Sequence, residues 1–145
     1  MKRRLTPTEH QEQCTVIAWA DLQRDKRYSL LYAIPNAGKR SKTVGAEMKK
    51  EGMRTGMLDL CLPVSVHPYP ALYAEMKVGD NRPSTEQRIM AKRLAETGNA
   101  VCLCYSADDM ILTLQEYIAE KSILSFWWDG DKRRENELFK LANQK

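Results

Sequence analysis

In residues 58–62 and 72–78 an apolar side chain recurs at every second position: Leu58, Leu60 and Leu62, then Leu72, Ala74, Met76 and Val78. A period of two belongs to a strand with one buried face. The stretch between the two runs, SVHPYP, is rich in turn formers, so the runs read as a hairpin. A turn centred near residue 67 pairs positions whose numbers sum to about 134. Leu62 then faces Leu72, Leu60 faces Ala74, and Asp59 faces Glu75. The apolar set must be core. The opposite face collects Asp59, Glu75 and Lys77, with Cys61 and Tyr73 beside them.

That second face raises a problem of charge. Directly opposed residues hold their Cβ atoms roughly 5 Å apart, and like charges there destabilise the pair. Two close carboxylates also push one pKa upward unless a cation neutralises them. A shared divalent ion is the economical answer. Oxygen ligands without histidine or thiolate nearby suit Mg²⁺ or Mn²⁺ rather than zinc. Such an ion activates a bound water and offsets charge growing on a phosphate, which points to phosphodiester hydrolysis. Lys77, on the same face, is placed to orient the water or contact the phosphate. The plain alternative is a solvated edge on which Lys77 neutralises Glu75.

Composition narrows the classes. A chain of 145 residues is the length of one domain, and its net charge of +4 permits a polyanionic partner. The opening MKRRL runs into polar TPTEHQEQ, so no secretory signal is expected. No apolar run approaches a membrane span. The four cysteines (Cys14, Cys61, Cys102, Cys104) lack CxxC spacing, and only His10 and His67 could join them. Reduced thiols in a cytosolic protein are therefore expected rather than a zinc site.

The remaining chain reads as alternating helices and strands. Thr8 with Gln11 forms a capping box for a helix to about Arg24, with an apolar stripe of Cys14, Ile17, Ala18 and Leu22. YSLLYAI, residues 28–34, reads as a strand, and PNAGKR as a loop. A short helix over residues 44–50 ends at Gly52. Ser84 with Gln87 opens a helix ending near Gly98, AVCLCY is a buried strand, and Ser106 opens a helix to about Lys121. The class is α/β: a mixed central β-sheet flanked by helices. Residues 1–121 form the domain. Residues 122–145, with Phe126, Trp127 and Trp128, form a helical extension packed on it or against a second copy.

The motifs GMLDL, YAEMK and PSTEQ, in this order and spacing, together with TEHQEQ, IPNAGKR, GAEMKKEG and RTG, resemble the PD-(D/E)xK nuclease superfamily. More specifically they resemble its VRR-NUC branch, the virus-type replication-repair nucleases. The resemblance spans Thr8 to about Ile118. It implies a restriction-endonuclease-like core and a metal held by Asp59, Glu75 and the backbone carbonyl of Met76. It makes Lys77 the catalytic lysine, Gln87 the glutamine of the following helix and Glu9 the acid of the first helix. Leu58 departs from the proline usual before the first acid, a structural rather than chemical position.

Each supporting residue also has a plainer reading. Gln87 can serve only to cap Ser84. Glu9 can serve only the helix dipole, and Glu12 competes with it. Asn36 is a turn residue that the resemblance places near the site; Lys39, Arg40 and Lys42 are candidates to grip DNA phosphates. Lys49, Lys50 and Arg54 are weaker candidates. The resemblance implies a Mg²⁺- or Mn²⁺-dependent DNA endonuclease of phage or prophage type. It would act as a homodimer on Holliday junctions, flaps or other branched DNA, in the cytoplasm of a bacterial or phage-infected cell. The competing reading is a non-catalytic nucleic-acid-binding module that keeps the fold.

Overall fold

The structure, a computed structural model, describes residues 6–36, 41–120 and 127–144. Its elements run α1 (Glu9–Asp21), a 3₁₀ turn (Lys26–Leu30), β1 (Tyr32–Ala33), α2 (Lys42–Lys50), β2 (Leu60–Leu62), β3 (Leu72–Met76), α3 (Thr85–Glu96), β4 (Ala100–Cys104), α4 (Ala107–Ile118) and α5 (Lys132–Ala142). The hairpin has the register that the alternation predicts: Leu60 opposite Ala74, Cys61 opposite Tyr73, Leu62 opposite Leu72. The sheet order is β1-β2-β3-β4, and β3 and β4 run parallel while the other pairs are antiparallel. A parallel neighbour needs a crossover, and α3 is that crossover. The fold is a mixed sheet with helices on both faces.

Each face buries its own cluster. Leu60, Leu62, Leu72, Ala74, Met76, Cys102 and Cys104 pack against Val16 and Ala20 of α1 and Met110, Leu114 and Tyr117 of α4. On the other face Leu58, Val101 and Leu103 meet Ala91 of α3, Trp128 and Leu138 of α5. Buried Cys102 and Cys104 therefore behave as small apolar side chains on one face, and all four cysteines are free. Trp128 N–H donates to the Val101 carbonyl at 2.7 Å, which closes the outer edge of β4. Among the described residues no helix is long and apolar enough to cross a membrane.

Local chemistry explains where the helices start and stop. Thr8 and Ser84 each form a full capping box, with Gln11 and Gln87 respectively, a device worth about 1 kcal/mol. Ser106 caps α4. Gly52 (φ 109°) ends α2: its N–H reaches the Lys49 carbonyl and that of Met53 reaches Met48, the paired bonds of a left-handed helix stop.

Three expectations are corrected. The buried stripe of α1 is Val16 and Ala20, not Cys14, Ala18 and Leu22. Leu22, 83% exposed, lies beyond the last turn as the C-cap, and only Ile17 of the expected set packs against the core. Small Val16 and Ala20 let α1 lie close to the sheet and α4. Residues 26–30 wind into the 3₁₀ turn instead of extending, because Asp25 accepts the Arg27 N–H at 3.0 Å and starts the winding. Tyr28 and Leu31, three apart, are the buried pair that this winding aligns. Leu58 belongs to the second cluster, opposite the face of Leu60. The strand begins only at Leu60, so strict alternation ends there.

Candidate functional site

Four segments converge where the hairpin opens. Gly56 (φ 77°) lets the approach to β2 press onto the start of α3: a Cβ there would lie 2.5 Å from the Glu86 carbonyl. That contact fixes where the chain enters β2, just before Asp59. β1 fixes Asp59 from the other side, since the Ile34 N–H donates to the Asp59 carbonyl at 2.8 Å. The Asp59 side chain accepts the Met76 N–H at 2.9 Å. It thus continues the ladder one rung beyond the last paired residues and stands beside Glu75.

Glu75 is completely buried, at 0% exposure. Its Oε1 takes two partners: Lys77 Nζ at 2.9 Å and Gln87 Nε2, which donates at 2.7 Å. Its Oε2 is buried with no hydrogen-bond partner. The other end of the Gln87 amide accepts the Ser84 N–H at 2.8 Å. One Gln87 amide therefore both caps α3 and binds Glu75. Glu9 accepts a hydrogen bond from Asn81 at 3.1 Å. Glu12 is occupied elsewhere, accepting the Ala107 N–H at the start of α4 at 2.7 Å. The two first-helix acids thus have separate surroundings, and it is Glu9 that faces the hairpin acids.

The electrostatics are those of unbalanced negative charge. Burial, then the neighbouring Asp59 charge, lifts the Glu75 pKa from 4.5 to about 8, against the pull of Lys77. Burial also raises that of Asp59, with Glu9 adding to it and Lys77 opposing. Burial works to lower that of Lys77, yet Glu75, Glu9 and Asp59 together hold it above its ordinary value. Three carboxylates thus share one ammonium, which leaves two negative charges uncompensated when all are ionised. A divalent cation fits that deficit, and the unpartnered Glu75 Oε2 fits a ligand. Asp59 and Glu75 are the residues whose carboxylates could hold it. Among the described residues no group of three or more His, Cys, Asp or Glu is arranged to hold a metal.

Of the expected phosphate-gripping residues, Asn36 and Lys42 are exposed. Asn36 lies two residues past the Ile34 bond to Asp59, and Lys42 opens α2 after its cap Ser41. Lys39 and Arg40 lie outside the described residues. A hollow of about 670 Å³ between α3 and the turn before α5 is lined by none of Glu9, Glu12, Asp59 or Glu75. Three residues escape the sequence reading: Asn81, which binds Glu9, and Arg82 and Glu135, which contact the loop beside it. Asn81 sits in a loop of polar residues where nothing marks it out. Arg82 and Glu135 look like ordinary surface charges in sequence.

No family model matches the chain, and no curated protein matches it. Among solved structures the chain is similar to one described as a VRR_NUC domain protein, at 23% identity and a TM-score of 0.70. The match covers 82% of this chain and 94% of that one. The fold is therefore the restriction-endonuclease-like fold of a VRR_NUC domain.

Proposed function

We propose that this chain is a divalent-metal-dependent DNA endonuclease, with Asp59, Glu75 and Lys77 as its working residues. The observation that carries the reading is the fully buried Glu75, which has one oxygen held by Lys77 and Gln87 and the other unpartnered beside a second carboxylate. A structural acid would be satisfied by hydrogen bonds or cations. This one is held in place but left short of positive charge, which is what a metal ligand requires. The fold shared with a VRR_NUC domain supports the same reading.

Asp59, Glu75 and the Met76 carbonyl are the metal ligands in this proposal. A bound Mg²⁺ or Mn²⁺ would supply an activated water and a counter-charge for the phosphate. Lys77 is the cation of this chain at that point, able to steady an anionic oxygen on the scissile phosphate. Gln87 fixes the Glu75 carboxylate, and Glu9 adds the third negative charge. The Met76 N–H holds Asp59 in a single orientation. Asn36, Lys39, Arg40 and Lys42 form the phosphate-contacting rim. The substrate is taken to be branched DNA, with a homodimer presenting two sites to two strands.

The test is incubation of the purified protein with Mn²⁺ and duplex, flap and four-way-junction DNAs. Nicking by the wild type, lost in Asp59→Ala and Lys77→Ala, is the expected outcome. Equal inertness of all three would remove the enzyme reading and leave the non-catalytic binding module.

A further inference from the structure

The loop that follows Lys77 and the first turn of α3 are gripped by the C-terminal segment. Glu135 of α5 is 1% exposed, and its carboxylate oxygens make no hydrogen bond. The charged groups facing it are Arg88, Arg82, Lys132 and Lys77, all cations. Arg82 Nε lies 3.6 Å from Glu135 Oε1, and its guanidinium sits 4.0 Å from the centre of the Phe139 ring, on the same helix. Arg82 Nη1 donates to the carbonyls of Asp80 and Asn81, at 3.3 and 3.2 Å. Arg88 donates to the Pro83 carbonyl. The turn before α5 rests on the same place, since a Cβ on Gly130 (φ 87°) would lie 2.2 Å from the Arg88 carbonyl oxygen.

Residues 80–88 in turn hold two of the acids. Asn81 binds Glu9, and Gln87, seated on Ser84, binds Glu75. We infer that α5 is a working part of the site: Glu135, acting through Arg82 and Arg88, is a positioning residue that keeps Asn81 on Glu9 and Gln87 on Glu75. Arg82 is exposed and 3.6 Å from Glu135, so this pair adds little stability of its own. What it supplies is direction: the Glu135 charge and the Phe139 ring hold the Arg82 guanidinium where Nη1 meets the loop carbonyls. The effect on rate rests on the nuclease reading above; the effect on the loop does not.

The test compares Glu135→Gln, Arg82→Gln and the double variant. It measures amide hydrogen exchange in the metal-free protein and kcat and KM for Mn²⁺-dependent nicking. Each single variant should lose roughly 10-fold in kcat with KM nearly unchanged, and the double should be no worse than the poorer single. Exchange over residues 80–88 should quicken roughly 10-fold while β2 and β3 keep their protection. Unchanged exchange, an unchanged kcat in either single variant, or losses that multiply in the double would overturn the inference. If the wild type does not nick at all, the nuclease reading falls and the exchange measurement alone decides this one. Should Glu135→Gln fail to fold, Arg82→Lys takes its place, since it keeps the charge and loses the fork. Reduced kcat there supports the role, and wild-type kcat overturns it.

Discussion

Glu75 and Glu135 are both buried, both have an oxygen without a hydrogen bond, and both have a basic neighbour, yet their surroundings differ in sign. Glu75 faces Asp59 and Glu9 as well as Lys77. The charges that act most on Glu135 are the cations Arg88, Arg82, Lys132 and Lys77. Burial is the first cause of the raised pKa at both, but at Glu75 the like charges add to it while at Glu135 the arginines and lysines oppose it. Burial of an acid is thus uninformative by itself. The charge of what surrounds it separates a place meant to receive a cation from one that already has its own.

The largest expected effect breaks the pair apart by function. Glu75→Gln, Asp59→Asn and Lys77→Ala should each lower nicking by about 10³-fold or more. Glu75→Gln should leave the melting temperature of the metal-free protein unchanged or raised, because it removes a buried repulsion. Glu135→Gln should lower nicking only about 10-fold and leave stability nearly unchanged, since burial disfavours its charge while Arg88 and Arg82 favour it. Paired thermal melts and nicking assays check both; equal losses of activity in the two would erase the distinction.

The next effect concerns pH. Folded Glu75 keeps its proton up to about 8, whereas in the unfolded chain it releases it near 4.5. Between those values the folded state binds more protons, so metal-free stability should fall as pH rises across that window. A cation competes with that proton, so Mn²⁺ should raise the melting temperature by several degrees near pH 8 and by less near pH 5. EDTA should reverse the gain, and Glu75→Gln should show none of it. A melt series across pH with and without Mn²⁺ reads this directly.

Smaller effects sharpen the geometry. Gly56→Ala should cost about 1–3 kcal/mol and lower cleavage, since the new Cβ meets the Glu86 carbonyl and displaces the approach to Asp59 from the start of α3. Smallest is Ser84→Ala, about 1 kcal/mol in stability. Its rate loss should be less than that of Gln87→Ala, because Gln87 can still reach Glu75 without its cap. Chemical denaturation and single-turnover cleavage separate the two.

The hairpin was legible because period-two alternation and a turn-rich break leave one sensible register, and that register carries Asp59 to Glu75. The Ser84–Gln87 box was equally legible, being a local rule of spacing. Leu58 was not, because alternation cannot say at which residue a strand stops. The 3₁₀ turn was hidden for a related reason: YSLLYAI has strand composition, and a single Asp25 side chain overrides it. Glu135 had no signal at all. It lies in the polar run DKRREN, and only the packing of Trp128 and Leu138 on the sheet turns that stretch of α5 inward.

The central claim is that Asp59 and Glu75 are short of a dication. It is tested most directly by a crystal grown with saturating Mn²⁺ and measured for anomalous scattering. The account predicts a peak about 2.0–2.3 Å from oxygens of both carboxylates. A folded, well-ordered protein with no peak between them would contradict it.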